Sequence, residues 1–88
     1  MAMNDPCMHI TVRYWAVLAD RIGYRTERLE LPEAATVRTA MDLLSEQHDI
    51  ILTMRAVLAT AIQDQYVTTG YMLQPNDELS LIPPVSGG

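Results

Sequence analysis

The sequence predicts a two-layer α+β roll, a mixed sheet of about four to five strands with one main helix across it. Three observations predict it. Residues 8–15 alternate strictly in character, residues 37–44 carry apolar side chains at helical spacing, and residues 78–82 return to alternation. A chain of 88 residues has room for one hydrophobic core. The apolar stripe of the helix therefore has only a sheet to lie on.

The elements follow in order. Met8, Ile10, Val12 and Tyr14 point one way and His9, Thr11, Arg13 and Trp15 the other, the period-two signature of a half-buried strand. Ala16 to Ile22 is rich in helix formers, and Gly23 fits the left-handed position that closes a short helix. Arg25 to Leu31 alternates again, with Leu29 and Leu31 inward, until Pro32 removes a ladder donor. Thr36 then caps the main helix, whose Val37, Ala40, Met41 and Leu44 share one face to about Gln47 or His48.

Ile50 to Arg55 reads equally as a short helix or a loop. Ala56 to Gln63 reads as a buried strand with Gln65 to Thr68 as its hairpin partner, and Glu78 to Ile82 as the last strand. The two early strands are too close in sequence for anything but an antiparallel ribbon, whereas the long helix can serve as a crossover. The expected organisation is a loose leader over residues 1–7, a domain over 8–82 and an extended tail over 83–88.

Composition excludes several functions. A net charge of −5 opposes an electrostatic nucleic-acid binder, and the six basic residues, all arginine, do not cluster. No apolar run approaches the roughly 20 residues that cross a bilayer, so no membrane partner is expected. The first residues lack the basic-then-apolar layout of a signal peptide, and the single cysteine, Cys7, allows no internal disulfide. The expectation is a cytoplasmic protein.

Conventional catalytic groups are missing. His9 and His48 fall on a strand and at a helix end with no third ligand at matching spacing, so no metal site is expected and both read as surface or capping residues. Cys7 has no activating neighbours in sequence, and the acidic residues read as a solvated surface. No glycine-rich phosphate loop is present.

Attention falls on the end, Pro83-Pro84-Val85-Ser86-Gly87-Gly88. Prolines hold a backbone extended, and two glycines let a narrow channel close around a thread that carries a carboxylate. With the Asp77-Glu78 turn and the apolar strand before it, this string resembles the small, sulfur-carrying subunit of molybdopterin synthase, a ubiquitin-like protein of β-grasp fold. The segments Ile10 to Ala16 and Leu18 to Gly23 also look like that family's first strand and short helix. Two positions depart from the pattern. Asn76 stands where the family often has glycine, and Leu81-Ile82 where it tends to carry phenylalanine.

The resemblance implies a chemistry for the tail. Gly88 would be adenylated by an ATP-dependent, ubiquitin-activating-like adenylyltransferase and converted to a thiocarboxylate that gives its sulfur to cyclic pyranopterin monophosphate. Pro83, Pro84, Val85, Ser86 and Gly87 would enter a channel of the large synthase subunit, in a heterotetramer of two large and two small subunits. Ile82 and Trp15 would form the docking patch. No cofactor would be bound by this chain, ATP being consumed by the activating enzyme. The alternatives are a sulfur carrier for thiamin, cysteine or tRNA thiolation, or a ubiquitin-like modifier joined to lysines.

Overall fold

The computed structural model describes residues 7–84. Strand β1 (Cys7–Tyr14) leads through helix α1 (Val17–Ile22) to β2 (Thr26–Pro32). Helix α2 (Val37–Gln47) and a short α3 (Asp49–Met54) follow, then a 3-10 turn at Arg55–Val57. Strands β3 (Ala59–Ile62), β4 (Gln65–Tyr66) and β5 (Glu78–Ile82) complete the chain.

The five strands form one mixed sheet in the order β2-β1-β5-β3-β4. β1 and β2 are antiparallel, as their short connection requires. β5 runs parallel to β1, with Thr11 opposite Glu78 and Tyr14 opposite Leu81, and antiparallel to β3. The last strand in sequence is thus a central strand in space. Both termini of the core therefore share one hydrogen-bonded ladder, and α2 supplies the crossover between the two halves of the sheet.

The core forms where period-two and period-3.6 faces meet. Ile10, Val12, Leu29, Leu31, Leu79 and Leu81 from the sheet pack with Val37, Ala40, Met41 and Leu44 from α2. Thr36 caps α2: its hydroxyl accepts from the Thr39 N–H, and the Thr36 N–H reaches the Thr39 hydroxyl. The next helix donors are satisfied by the chain that follows β4, Val37 N–H by Tyr71 and Arg38 N–H by Thr69. That long connection is stitched to β1 as well. Asn76 donates to the His9 carbonyl and Thr11 to the Asp77 carbonyl, each at 2.9 Å, which sets the register of β5. Asn76 takes φ 68°, the left-handed conformation that a short polar side chain tolerates in place of glycine.

Several boundaries differ from the sequence reading. The first strand begins at Cys7, paired with Pro32, one residue before the expected start at Met8; the rest of the leader expected over 1–7 lies outside the described residues. The strand expected from Ala56 starts only at Ala59, because Arg55–Val57 continues the helical run in a tighter turn, and it stops at Ile62. Residues 49–54, left open between helix and loop, form α3, whose buried Ile51 ties it to the core. The hairpin partner shrinks to Gln65–Tyr66.

Candidate functional site

Because β1 and β5 are parallel and in register, they end together, and the tail leaves the sheet beside the turn that follows Tyr14. Period two places Glu78, Ser80 and Ile82 of β5 on the sheet face away from the helices, together with Thr11 and Arg13 of β1. Trp15 follows on the same side. It is 43% exposed, and the Arg13 guanidinium lies 4.9 Å from the centre of its ring. Arg13 also pairs with Glu78 at 3.4 Å, so one arginine bridges the two strands that carry the tail. Ile82 is half-buried and stands opposite Ala59.

The turn at Ala16 has φ 54° and ψ −126°, a region that side chains with a Cβ rarely adopt. It throws the chain from β1 into α1 and leaves Trp15 and Val17 exposed. A cavity of about 320 Å³ opens here, lined by Arg13, Tyr14, Trp15, Ala16 and Arg25 among others. Arg13, Arg25 and Asp20 give this rim both signs of charge, with Arg13 paired to Glu78.

Of the residues expected to serve the tail, Trp15 and Ile82 are brought to the same end of the sheet. Pro83 and Pro84 are divided. Pro83 is buried against the fold and Pro84 is exposed. Val85, Ser86, Gly87 and Gly88 lie outside the described residues.

Behind the exit sits a cluster that the sequence did not reveal. Glu27 Oε1 accepts from the Tyr14 hydroxyl at 2.5 Å, from His48 Nε2 at 2.9 Å and from the Tyr24 hydroxyl at 3.3 Å. A carboxylate only accepts, so Nε2 of His48 carries the proton. The rings of Tyr14, Tyr24 and His48 stand about 6 Å apart around that oxygen. Burial pushes the Glu27 carboxyl up, but the hydrogen bonds from Tyr14 and His48 more than reverse it, and it lies below the usual carboxylate value. Burial, with the Glu27 carboxylate, raises the Tyr14 phenol strongly. The cluster locks the end of β1, the start of β2 and the α2–α3 junction together. Tyr14 is also the partner of Leu81, so the cluster fixes the strand ends from which the tail leaves. His48 thus occupies the helix-cap position expected of it, between α2 and α3.

Among the described residues no group of three or more His, Cys, Asp or Glu side chains is arranged to hold a metal ion. No described helix is long and apolar enough to cross a membrane.

A family model described as the ThiS family matches residues 12–88. The chain belongs to the ThiS family. Its match reaches the final Gly-Gly, so the family covers the tail as well as the sheet that launches it. The molybdopterin synthase sulfur carrier subunit of Homo sapiens is 30% identical over 86 residues, covering 94% of this chain and 98% of that protein. The crystal structure of SAMP1, small archaeal modifier protein 1, from Haloferax volcanii superimposes with a TM-score of 0.78 at 30% identity, covering 91% of this chain and 99% of that one. A de novo design based on ubiquitin, 18% identical, shares the fold with a TM-score of 0.63 and covers 96% of each chain. The fold is the ubiquitin-like β-grasp.

Proposed function

We propose that this member of the ThiS family is the sulfur-carrying small subunit of a molybdopterin synthase, with the carboxylate of Gly88 as its reactive group. The observation that carries the reading is the 30% identity to a molybdopterin synthase sulfur carrier subunit over 94% of the chain. A carboxylate is a poor electrophile at neutral pH. An ATP-dependent adenylyltransferase of the ubiquitin-activating kind would convert it to a mixed anhydride with AMP, and a sulfur donor would then displace AMP. The product is a thiocarboxylate, a nucleophile stored on a protein handle.

The large synthase subunit would take the tail into a channel, where the thiocarboxylate attacks cyclic pyranopterin monophosphate on the way to the molybdopterin dithiolene. The small domain contributes delivery. Pro83 fixes the root of the tail, Pro84 reduces the ordering cost of insertion, and Gly87 and Gly88 admit close backbone approach. Trp15 and Ile82 would dock on the rim of the channel, and two large and two small subunits would assemble. No cofactor is bound by the small subunit, and the complex works in the cytoplasm.

A second reading has its own support, the 30% identity to a small archaeal modifier protein. There the same activated terminus would be transferred to lysines of other proteins. One reconstitution separates the two. Thiocarboxylated protein mixed with a molybdopterin synthase large subunit and the cyclic precursor should yield molybdopterin. Silence in that mixture, with sulfur accepted by a thiazole synthase or with linkage to protein lysines, would assign the chain to another branch.

A further inference from the structure

We propose that the chain keeps competing side-chain amines and thiols out of reach of its own activated terminus: it contains no ε-amine, and its one thiol stands at the far end of the sheet. This rests on the reading that the Gly88 carboxylate is activated. An acyl adenylate is attacked by any free amine or thiolate that can touch it. With an amine, the nitrogen bonds to the Gly88 carbonyl carbon, the bond from that carbon to the phosphate oxygen breaks, AMP leaves with the electron pair, and the amine's proton goes to solvent. The carrier would be consumed as a dead-end amide.

Reach decides which groups matter. The five residues from Pro84 to Gly88 span at most about 17 Å. Arg13, one residue before the end of β1, and Arg25, whose carbonyl accepts from the Tyr14 N–H at 2.7 Å, both line the cavity at the tail's exit. A lysine at either place would put a primary amine within range. Arginine carries the same positive charge without a usable nucleophile, because its guanidinium stays protonated and delocalised at neutral pH. Every basic residue in the chain, Arg13, Arg21, Arg25, Arg28, Arg38 and Arg55, is arginine.

Cys7 completes the pattern. It opens β1, seven residues before Tyr14, or about 23 Å along the strand. The tail departs beyond Leu81, the partner of Tyr14, on the opposite side from Cys7. A hydrogen bond to Glu30 also raises the Cys7 thiol, which lowers its thiolate fraction. The phenols close to the exit are held protonated: burial and Glu27 raise both Tyr14 and Tyr24. The same surface offers no ε-amine to a second activated copy, so conjugates built through this chain cannot extend into lysine-linked polymers of it.

The test uses the full chain prepared with Gly88 as a thioester by intein cleavage, which activates the terminus whether or not a cellular enzyme does. Wild type, Arg25→Lys and His9→Lys are incubated at pH 8 and mapped by mass spectrometry. His9 lies five residues before Tyr14 on β1, about 16 Å farther from the tail's exit, so only a fully stretched tail running back along the sheet would approach it. Arg25→Lys should gain an internal amide to the introduced amine, at least ten-fold more abundant than any internal side-chain amide in wild type or His9→Lys. Equal, negligible adducts in all three, or equal cyclisation of Arg25→Lys and His9→Lys, would overturn the proposal. Failure of the activating enzyme to adenylate wild type would instead count against the functional reading alone.

Discussion

Tyr14 donates its hydroxyl hydrogen to Glu27 Oε1 at 2.5 Å, and the same oxygen accepts from His48 Nε2 at 2.9 Å. The contact joins the end of β1 to the start of β2 and the helix junction, immediately behind the point where the tail leaves. Glu27→Gln keeps the shape and removes the charge that strengthens these bonds, and should cost about 1–2 kcal/mol in urea unfolding.

The same carboxylate gives a pH dependence. Its folded value lies below its ordinary 4.5, so its contribution is present above that value and is lost as pH falls through the folded one. Stability of the wild type should therefore decline below about pH 4.5. In Glu27→Gln the decline should be shallower, read from denaturant midpoints at successive pH values. Identical acid limbs would contradict the assignment.

Ala16 sits at φ 54° with ψ −126°, where glycine alone is unstrained. Ala16→Gly removes that strain but adds freedom to the unfolded chain, and the balance should stabilise the domain by about 1 kcal/mol. A lower urea midpoint in the variant would show that the turn is not strained.

The Ser45 hydroxyl oxygen is buried without a hydrogen-bond partner among the described residues. Ser45→Ala removes an unsatisfied group and adds helix propensity inside α2, so it should be neutral or stabilising by up to about 1 kcal/mol. A calorimetric loss of comparable size would reveal a partner for that hydroxyl.

Trp15→Ala and Ile82→Asp should each weaken the complex with a large synthase subunit by about ten- to hundred-fold. Titration calorimetry reads the affinity, and circular dichroism should show the free domain still folded. Unchanged affinity in both variants would move the docking surface elsewhere.

The fold was largely legible because its elements carry unambiguous periods. The alternation from Met8 to Tyr14, the Thr36 cap and the stripe Val37, Ala40, Met41, Leu44 all correspond to observed elements. Residues 49–57 were harder, since Ile50, Ile51 and Leu52 form an unbroken apolar run with no period to choose helix over strand. The parallel pairing of β1 with β5 has no local signature, yet it is what carries the tail to Trp15. The Tyr14–Glu27–His48 cluster stayed hidden for a similar reason: its members lie 13 and 21 residues apart and meet only through the fold. Burial of Pro83 was likewise invisible in a Pro-Pro pair that reads as one extended unit. Arg13 had a usable signal, as it shares the outer face with Trp15 two residues on.

The central claim concerns the state of one carboxylate, and mass spectrometry of the protein isolated from its own cell tests it most directly. The account predicts a fraction heavier by one oxygen-for-sulfur exchange, located by fragmentation at Gly88 and absent after Gly88 is deleted. A terminus found only as the free acid, or joined by amide bonds to lysines of many proteins with no sulfur form, would contradict it.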